Sequence, residues 1–123
     1  MNLTQLLTLM STIAAIVGFL AITWPVRLLE SKGAAVSPAT VIWMREVGVL
    51  IFAQGLTCFL LRNEPVTPAV RAFLAGAAVT QLGLLPIEIS GYLRGSLTKL
   101  SGIVPNSVMH AVLGSVLLYR AVS

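Results

Sequence analysis

Four long apolar segments, separated by short clusters of polar residues, glycine and proline, make up most of the chain. A continuous apolar run of about 18 or more residues can cross the roughly 30 Å hydrocarbon core of a bilayer as a helix. The pattern therefore predicts an all-α fold, an integral membrane up-down four-helix bundle that forms a single transmembrane domain. The predicted spans are residues 6–23, 38–61, 68–93 and 105–121.

Proline residues mark the expected ends of these spans. Pro38 and Pro68 each follow a hydroxyl residue that can act as an N-cap, and proline is favoured at the first position of a helix. Pro25 is expected to end the first span, and Pro105 is expected to begin the fourth. Only Pro86 is then expected inside a span, where it would free a backbone carbonyl one turn earlier.

Composition supports the membrane class. Hydrophobic residues make up 57% of the 123 residues and charged residues 10%, with a mean hydropathy of +0.95. Soluble domains are far more polar. The net charge of +4 is what basic residues beside anionic headgroups give, and no run of Lys and Arg indicates nucleic-acid binding. The lipid bilayer is the expected surrounding, and nucleic acid is not an expected partner.

Basic residues in the short connections predict the orientation, because positively charged connections stay in the cytoplasm. The MNLTQ start carries no Lys or Arg and no cleavage site precedes Trp24, so the first span is expected to be an uncleaved helix. Both termini are predicted to lie outside. The side that holds the connections after the first and third spans contains Arg27, Lys32, Arg45, Arg94 and Lys99, and the opposite side contains Arg62, Arg71 and Arg120.

Small residues recur four positions apart, a spacing that lets membrane helices approach closely. Compact packing within one bundle explains this pattern, and a homo-oligomer that uses one of these faces is the alternative. Cys58 is the only cysteine, so no disulfide can form within the chain. The small pairs are Ala14 and Gly18, Ala72 and Gly76, Gly76 and Thr80, and Ala111 and Ser115.

Ionisable residues within the spans fall at similar depths on one side of the membrane. At 1.5 Å per residue, Glu88 lies about 7 Å inside the end of the third span. Arg45 and Glu46 lie about 10 to 12 Å inside the start of the second, and His110 about 8 Å inside the start of the fourth. These depths predict a polar layer within one leaflet.

Helical spacing places polar residues of the third and fourth spans on shared faces. Gln81 and Glu88 are seven apart, and Asn106 and His110 are four apart, so each pair lies on one face of its helix. Polar faces on apolar helices are expected to face one another around a cavity or a packed polar core. The residues expected to shape that pocket or set its charge are Arg45, Glu46, Asn106, Gln81, Gln54, Trp43, Tyr92 and Trp24.

Glu88 and His110 are the candidate catalytic pair. A carboxyl and an imidazole beside an apolar cavity can protonate a double bond or an epoxide, or move a proton α to a carbonyl, on a lipophilic small molecule. Glu88 is expected to face inward and to find a partner in Arg45 or His110. With one histidine and no motif for metal, phosphate, acyl or thiol chemistry, the sequence predicts no metal site and no cofactor.

Three hypotheses account for the polar layer. The favoured one is a membrane enzyme or binding protein for a lipophilic small molecule, of isomerase, cyclase or hydrolase type. The second is an accessory subunit of a larger membrane complex, in which a buried ion pair fixes helix register and the Trp and Tyr rings anchor the membrane interface. The third is an oligomeric transporter or channel, which the lack of ionisable residues in the other half of the membrane disfavours.

At the level of architecture, the chain resembles the small four-helix membrane proteins of bacteria, which implies the bacterial inner membrane as its location. By fold analogy alone, it is also similar to membrane isomerases that hold acidic residues inside a helical bundle. A shared architecture does not define a reaction, so the function must be argued from the residues themselves.

Overall fold

The computed structural model describes all 123 residues and is helical throughout, without strands. Four of its helices are long and apolar enough to cross a membrane. The predicted all-α fold is therefore confirmed, and a four-helix membrane bundle is consistent with it. The helices are α1 (Leu3–Thr23), α2 (Pro25–Ser31), α3 (Pro38–Leu61), α4 (Pro68–Leu93) and α5 (Leu100–Val122).

The starts of α3 and α4 follow the capping chemistry in the sequence. The Ser37 hydroxyl accepts a hydrogen bond from the backbone N–H of Thr40 at 3.2 Å, and Thr67 does the same for Val70 at 3.2 Å. In both helices proline follows the cap at the first helical position, where its missing N–H costs no hydrogen bond. Both helices thus begin at the prolines that the sequence indicates.

The first long helix ends at Thr23, where the first span was predicted to end, and Pro25 then begins the short helix α2, which was not predicted. The break lies at Trp24, whose φ of −127° and ψ of 54° are not helical. Pro25 occupies the first position after this break, where its fixed φ favours a new helix. The segment between the first two spans therefore contains an additional helix.

The prediction that the fourth span starts at Pro105 is wrong. Helix α5 begins at Leu100, and Pro105 lies inside it. A proline interrupts only the hydrogen bond to the carbonyl four residues earlier, and membrane helices tolerate this loss. The earlier start places His110 about 15 Å along the helix rather than about 8 Å.

Contacts divide the chain into two compact units. One unit contains Met1–Glu30 and Ala35–Glu64, and the other contains Ser31–Ala34 and Pro65–Ser123. In the first unit, α1 and α3 pack antiparallel through small residues. A Cβ atom added at Gly18 would lie 2.9 Å from the carbonyl oxygen of Gly48, so the two backbones are nearly in contact. Cys58 is buried in the same unit and is not in a disulfide.

In the second unit, α4 and α5 also pack antiparallel. Helix α4 ends at Leu93, and Gly95, two residues further on, has a φ of 76°, a left-handed conformation that glycine adopts readily. The start of α5 lies so close to the residue 31–34 segment that a Cβ atom at Gly102 would be 2.1 Å from the carbonyl oxygen of Ser31. This contact holds the connection before α3 against the α4–α5 pair.

The α1–α3 contact predicts opposite effects for two glycine substitutions. Gly18→Ala should lower the free energy of unfolding in detergent micelles by about 1 to 3 kcal/mol, because the new methyl group meets backbone atoms that cannot move aside. Gly76→Ala is the matched control, since nothing lies within 4 Å of its added Cβ atom. This control should raise the free energy of unfolding by at most about 1 kcal/mol. Equal effects of the two variants would contradict the packing described.

Candidate functional site

Glu88 lies at the centre of a polar cluster in the α4–α5 unit. Its side chain is buried, with the residue only 6% exposed. Ser107 donates a hydrogen bond to Oε2 at 2.7 Å, and Asn106 Nδ2 donates to Oε1 at 2.6 Å. The Lys32 ammonium forms an ion pair with Oε1. Both oxygens of this carboxylate therefore have hydrogen-bond donors, and its charge has a counter-charge.

Lys32 reaches this position because its turn is held against the connection between α4 and α5. The Lys32 carbonyl accepts hydrogen bonds from the backbone N–H groups of Thr98 and Lys99, at 3.1 and 3.2 Å. Gly33 has a φ of 67°, and its carbonyl accepts a hydrogen bond from the Thr98 hydroxyl at 3.2 Å. The Lys32 side chain remains 27% exposed, so it links the buried Glu88 carboxylate to the surface of the unit.

His110 extends the cluster along α5. Its Nε2 atom lies 2.9 Å from Asn106 Nδ2, and its Nδ1 atom lies 2.5 Å from the Gln81 side-chain oxygen. Asn106 thus contacts both the carboxylate and the imidazole. A continuous hydrogen-bonded path runs from Lys32 through Glu88, Asn106 and His110 to Gln81.

The donors and acceptors along this path define one arrangement of hydrogens. The ionised Glu88 carboxylate can only accept, so the Asn106 amide must present its NH₂ group there. The same NH₂ group contacts His110 Nε2, which must then be the unprotonated, accepting nitrogen. His110 Nδ1 carries the hydrogen and donates it to the Gln81 oxygen. The imidazole is therefore neutral in this arrangement, with its proton on Nδ1.

Four of the residues singled out in the sequence occupy this cluster: Gln81, Glu88, Asn106 and His110. The sequence analysis missed Lys32 and Ser107. Lys32 lies in a connection, and the sequence analysis used it only to predict which side of the membrane faces the cytoplasm. Its position between a span and a glycine also allows its long side chain to reach toward the helices. Ser107 follows Asn106 directly, and its hydroxyl gave no periodic signal.

The expected ion partner of Glu88 was Arg45 or His110, and the structure corrects this. Lys32 forms the ion pair, and His110 is linked to Glu88 only through Asn106. Arg45 and Glu46 are exposed on α3, in the other unit. That these two side chains share a membrane layer with the cluster stays a prediction.

The aromatic residues assigned to the pocket, and Gln54, lie outside this hydrogen-bonded path. Trp24, Trp43 and Tyr92 are exposed, with Trp24 packed edge-on against Phe19 at a centroid distance of 6.0 Å. Gln54 is half-buried on α3. Exposed aromatic rings of membrane helices commonly lie at the headgroup region. A role for these side chains in ligand binding stays a prediction.

The cluster contains the groups needed to hold and transfer protons. A carboxylate and an imidazole are joined by one amide, within an otherwise apolar helix pair. Every buried side-chain nitrogen and oxygen in the chain has a hydrogen-bond partner. No group of three or more His, Cys, Asp or Glu side chains is placed to hold a metal ion. A carboxylate and an imidazole so placed can each accept and donate protons.

Comparison of the chain with models of protein families, with curated proteins and with solved structures gives no match. The structure supports an integral membrane protein, with four helices that are long and apolar enough to cross a membrane.

Because Lys32 and Glu88 form an ion pair, removing the Lys32 charge should strongly lower the stability of the protein. Lys32→Met should lower the free energy of unfolding by about 1 to 3 kcal/mol, because the buried Glu88 carboxylate loses its counter-charge and one donor. Adding Glu88→Gln to Lys32→Met should restore much of this loss. Lys99→Met, in the connection that holds the Lys32 turn, is the exposed control and should change little. Additive effects of the two substitutions at positions 32 and 88 would contradict a direct pair.

The hydrogen arrangement predicts the tautomer of His110. Nitrogen NMR of protein labelled at histidine should show one neutral imidazole with its proton on Nδ1, because Asn106 occupies Nε2 as a donor. The single histidine makes the assignment unambiguous. Asn106→Ala should remove the constraint and allow the Nε2 tautomer to appear. A wild-type spectrum dominated by the Nε2 tautomer would contradict the arrangement.

Proposed function

We propose that this protein binds a lipophilic small molecule in the membrane and exchanges protons with it through Glu88 and His110. The proposed reaction class is an isomerisation or a related acid/base conversion. The proposed location is the bacterial inner membrane, with both termini outside. Four helices that are long and apolar enough to cross a membrane support the membrane location.

The observation that carries the proposal is the continuous hydrogen-bonded path between a buried carboxylate and an imidazole. The hydrogen bonds from Asn106 and Ser107 to Glu88 would suffice to fix the register of α4 and α5. The path instead continues through Asn106 to His110, a further neutral group that can take up or release a proton. Ionisable groups inside membrane helices are costly and are commonly functional.

The chemistry requires no further reactant. Isomerisation moves a proton from one carbon of the substrate to another, so a base accepts one proton and an acid returns one. His110 can accept the proton at Nε2 once Asn106 turns away and, as the imidazolium, return it to the second carbon, while the ionised Glu88 carboxylate stabilises the positive charge on the ring. A lipophilic substrate would reach these groups from the bilayer.

A second candidate function is that of an accessory subunit in a larger membrane complex or homo-oligomer. Two observations favour it. The polar cluster is fully hydrogen-bonded, as expected for a structural core. Helix α4 also has a smooth exposed face, since Gly76 and Gly83 have nothing within 4 Å of an added Cβ atom. Small exposed residues are typical of membrane helix contacts.

Bound lipophile and proton exchange can be measured together. Protein purified in mild detergent is incubated in deuterated water. Its bound lipophilic compounds are then released, and their masses are measured by mass spectrometry. We expect a discrete non-phospholipid compound that gains deuterium at carbon in the presence of the wild-type protein. Glu88→Gln and His110→Gln should each lower the rate of deuterium uptake by at least about 100-fold, the usual contribution of general acid/base catalysis.

Glu46→Gln is the matched control, since Glu46 is an exposed glutamate on a membrane helix outside the cluster. It should leave deuterium uptake unchanged. A bound compound that gains no deuterium would reduce the proposal to binding alone. Protein that carries only bulk phospholipid and copurifies with other chains at fixed stoichiometry would contradict the proposal and support the accessory subunit.

A further inference from the structure

A groove of about 380 Å³ lies between α1 and α3, in the unit that does not contain the polar cluster. Its walls are formed by large apolar side chains, each between 46% and 56% exposed. These are Ile16 on α1 and Phe52, Leu56 and Phe59 on α3. The groove thus runs along the α1–α3 pair, two helices that are long and apolar enough to cross a membrane.

The groove offers few polar contacts. Ser11 and Thr12 contribute its hydroxyl groups, and both donate their hydrogen to the Thr8 carbonyl, each at 2.9 Å. A molecule bound in the groove would therefore contact mainly apolar side-chain atoms. Filling such a gap restores the dispersion contacts that its walls otherwise lack.

A positive charge lies at one end of the groove. Arg62 is the C-cap residue of α3, three residues after Phe59. Its guanidinium carbon lies 3.6 Å from the centroid of the Phe59 ring. The guanidinium also donates a hydrogen bond to the Phe59 carbonyl. These two contacts fold the Arg62 side chain back over the wall of the groove. Glu64, two residues further on, is the acidic residue near this end.

We propose that this groove binds one acyl chain of an anionic phospholipid, with the lipid phosphate at Arg62. Charge complementarity selects the headgroup, since guanidinium groups bind phosphate well. The shape of the groove favours a flexible chain over a second helix. Large side chains line half of the groove, and Ser11, Thr12, Ala15 and Gly55 line the rest. A helix with its side chains is about 10 to 12 Å across, which is more than a groove of about 380 Å³ accommodates.

The test is native mass spectrometry of the protein after reconstitution with equal amounts of phosphatidylglycerol and phosphatidylcholine. One phosphatidylglycerol should be retained with a preference of about five-fold, the usual gain from one basic residue near an anionic headgroup. Arg62→Gln should reduce the preference to near unity. Glu64→Gln should increase it, because a repelling charge is removed.

Two further variants test the groove itself. Ala15→Phe and Thr12→Phe each place a ring in the groove from an exposed position on α1 and leave Arg62 unchanged. Both should abolish retention of the lipid. Arg45→Gln, which replaces an exposed arginine on the same helix away from the groove, is the control and should behave as wild type.

Several outcomes would overturn the proposal. Equal retention of the two lipids by the wild-type protein would remove the role of charge. Retention of phosphatidylglycerol that survives both phenylalanine variants would show surface attraction without an occupied groove. A dimer that these variants dissociate would identify a second copy of the chain as the occupant.

Discussion

Burying the Glu88 carboxylate between two apolar helices costs on the order of several kcal/mol unless charge and hydrogen bonds compensate it. Lys32 supplies the charge, and Asn106 and Ser107 supply donors to the two oxygens. This requirement explains the geometry of the connections. The residue 31–34 turn must lie against residues 98 and 99, and Gly102 must lack a side chain, for Lys32 to reach Glu88.

The same carboxylate determines how the rest of the cluster is oriented. Because Glu88 accepts from the Asn106 NH₂ group, the other hydrogen of that group faces His110, and the imidazole must donate to Gln81. A change in the protonation of Glu88 would thus alter the hydrogen bond that Asn106 donates to His110. This coupling distinguishes the cluster from a simple ion pair and is the physical basis for the proposed proton exchange.

The fold was largely predictable because hydrophobic length and capping chemistry are local properties of the sequence. Pro38 and Pro68 begin helices, as their N-caps indicate. Pro105 was misread, since proline is favoured at a helix start but is also tolerated inside a membrane helix. Helical spacing brought Gln81, Glu88, Asn106 and His110 onto facing stripes. Lys32 could not be predicted in this way, because its position depends on a turn whose backbone hydrogen bonds have no periodic signature.

The rest of the cluster depends on Glu88 being an ionised carboxylate paired with Lys32. Infrared difference spectroscopy between wild type and Glu88→Gln in lipid bilayers at neutral pH tests this pair most directly. We expect the substitution to remove the bands of an ionised carboxylate, and we expect Lys32→Met to shift those bands or to replace them with the band of a protonated acid. Loss of a protonated-acid band from the wild-type spectrum, unaffected by Lys32→Met, would contradict the ion pair and the network built on it.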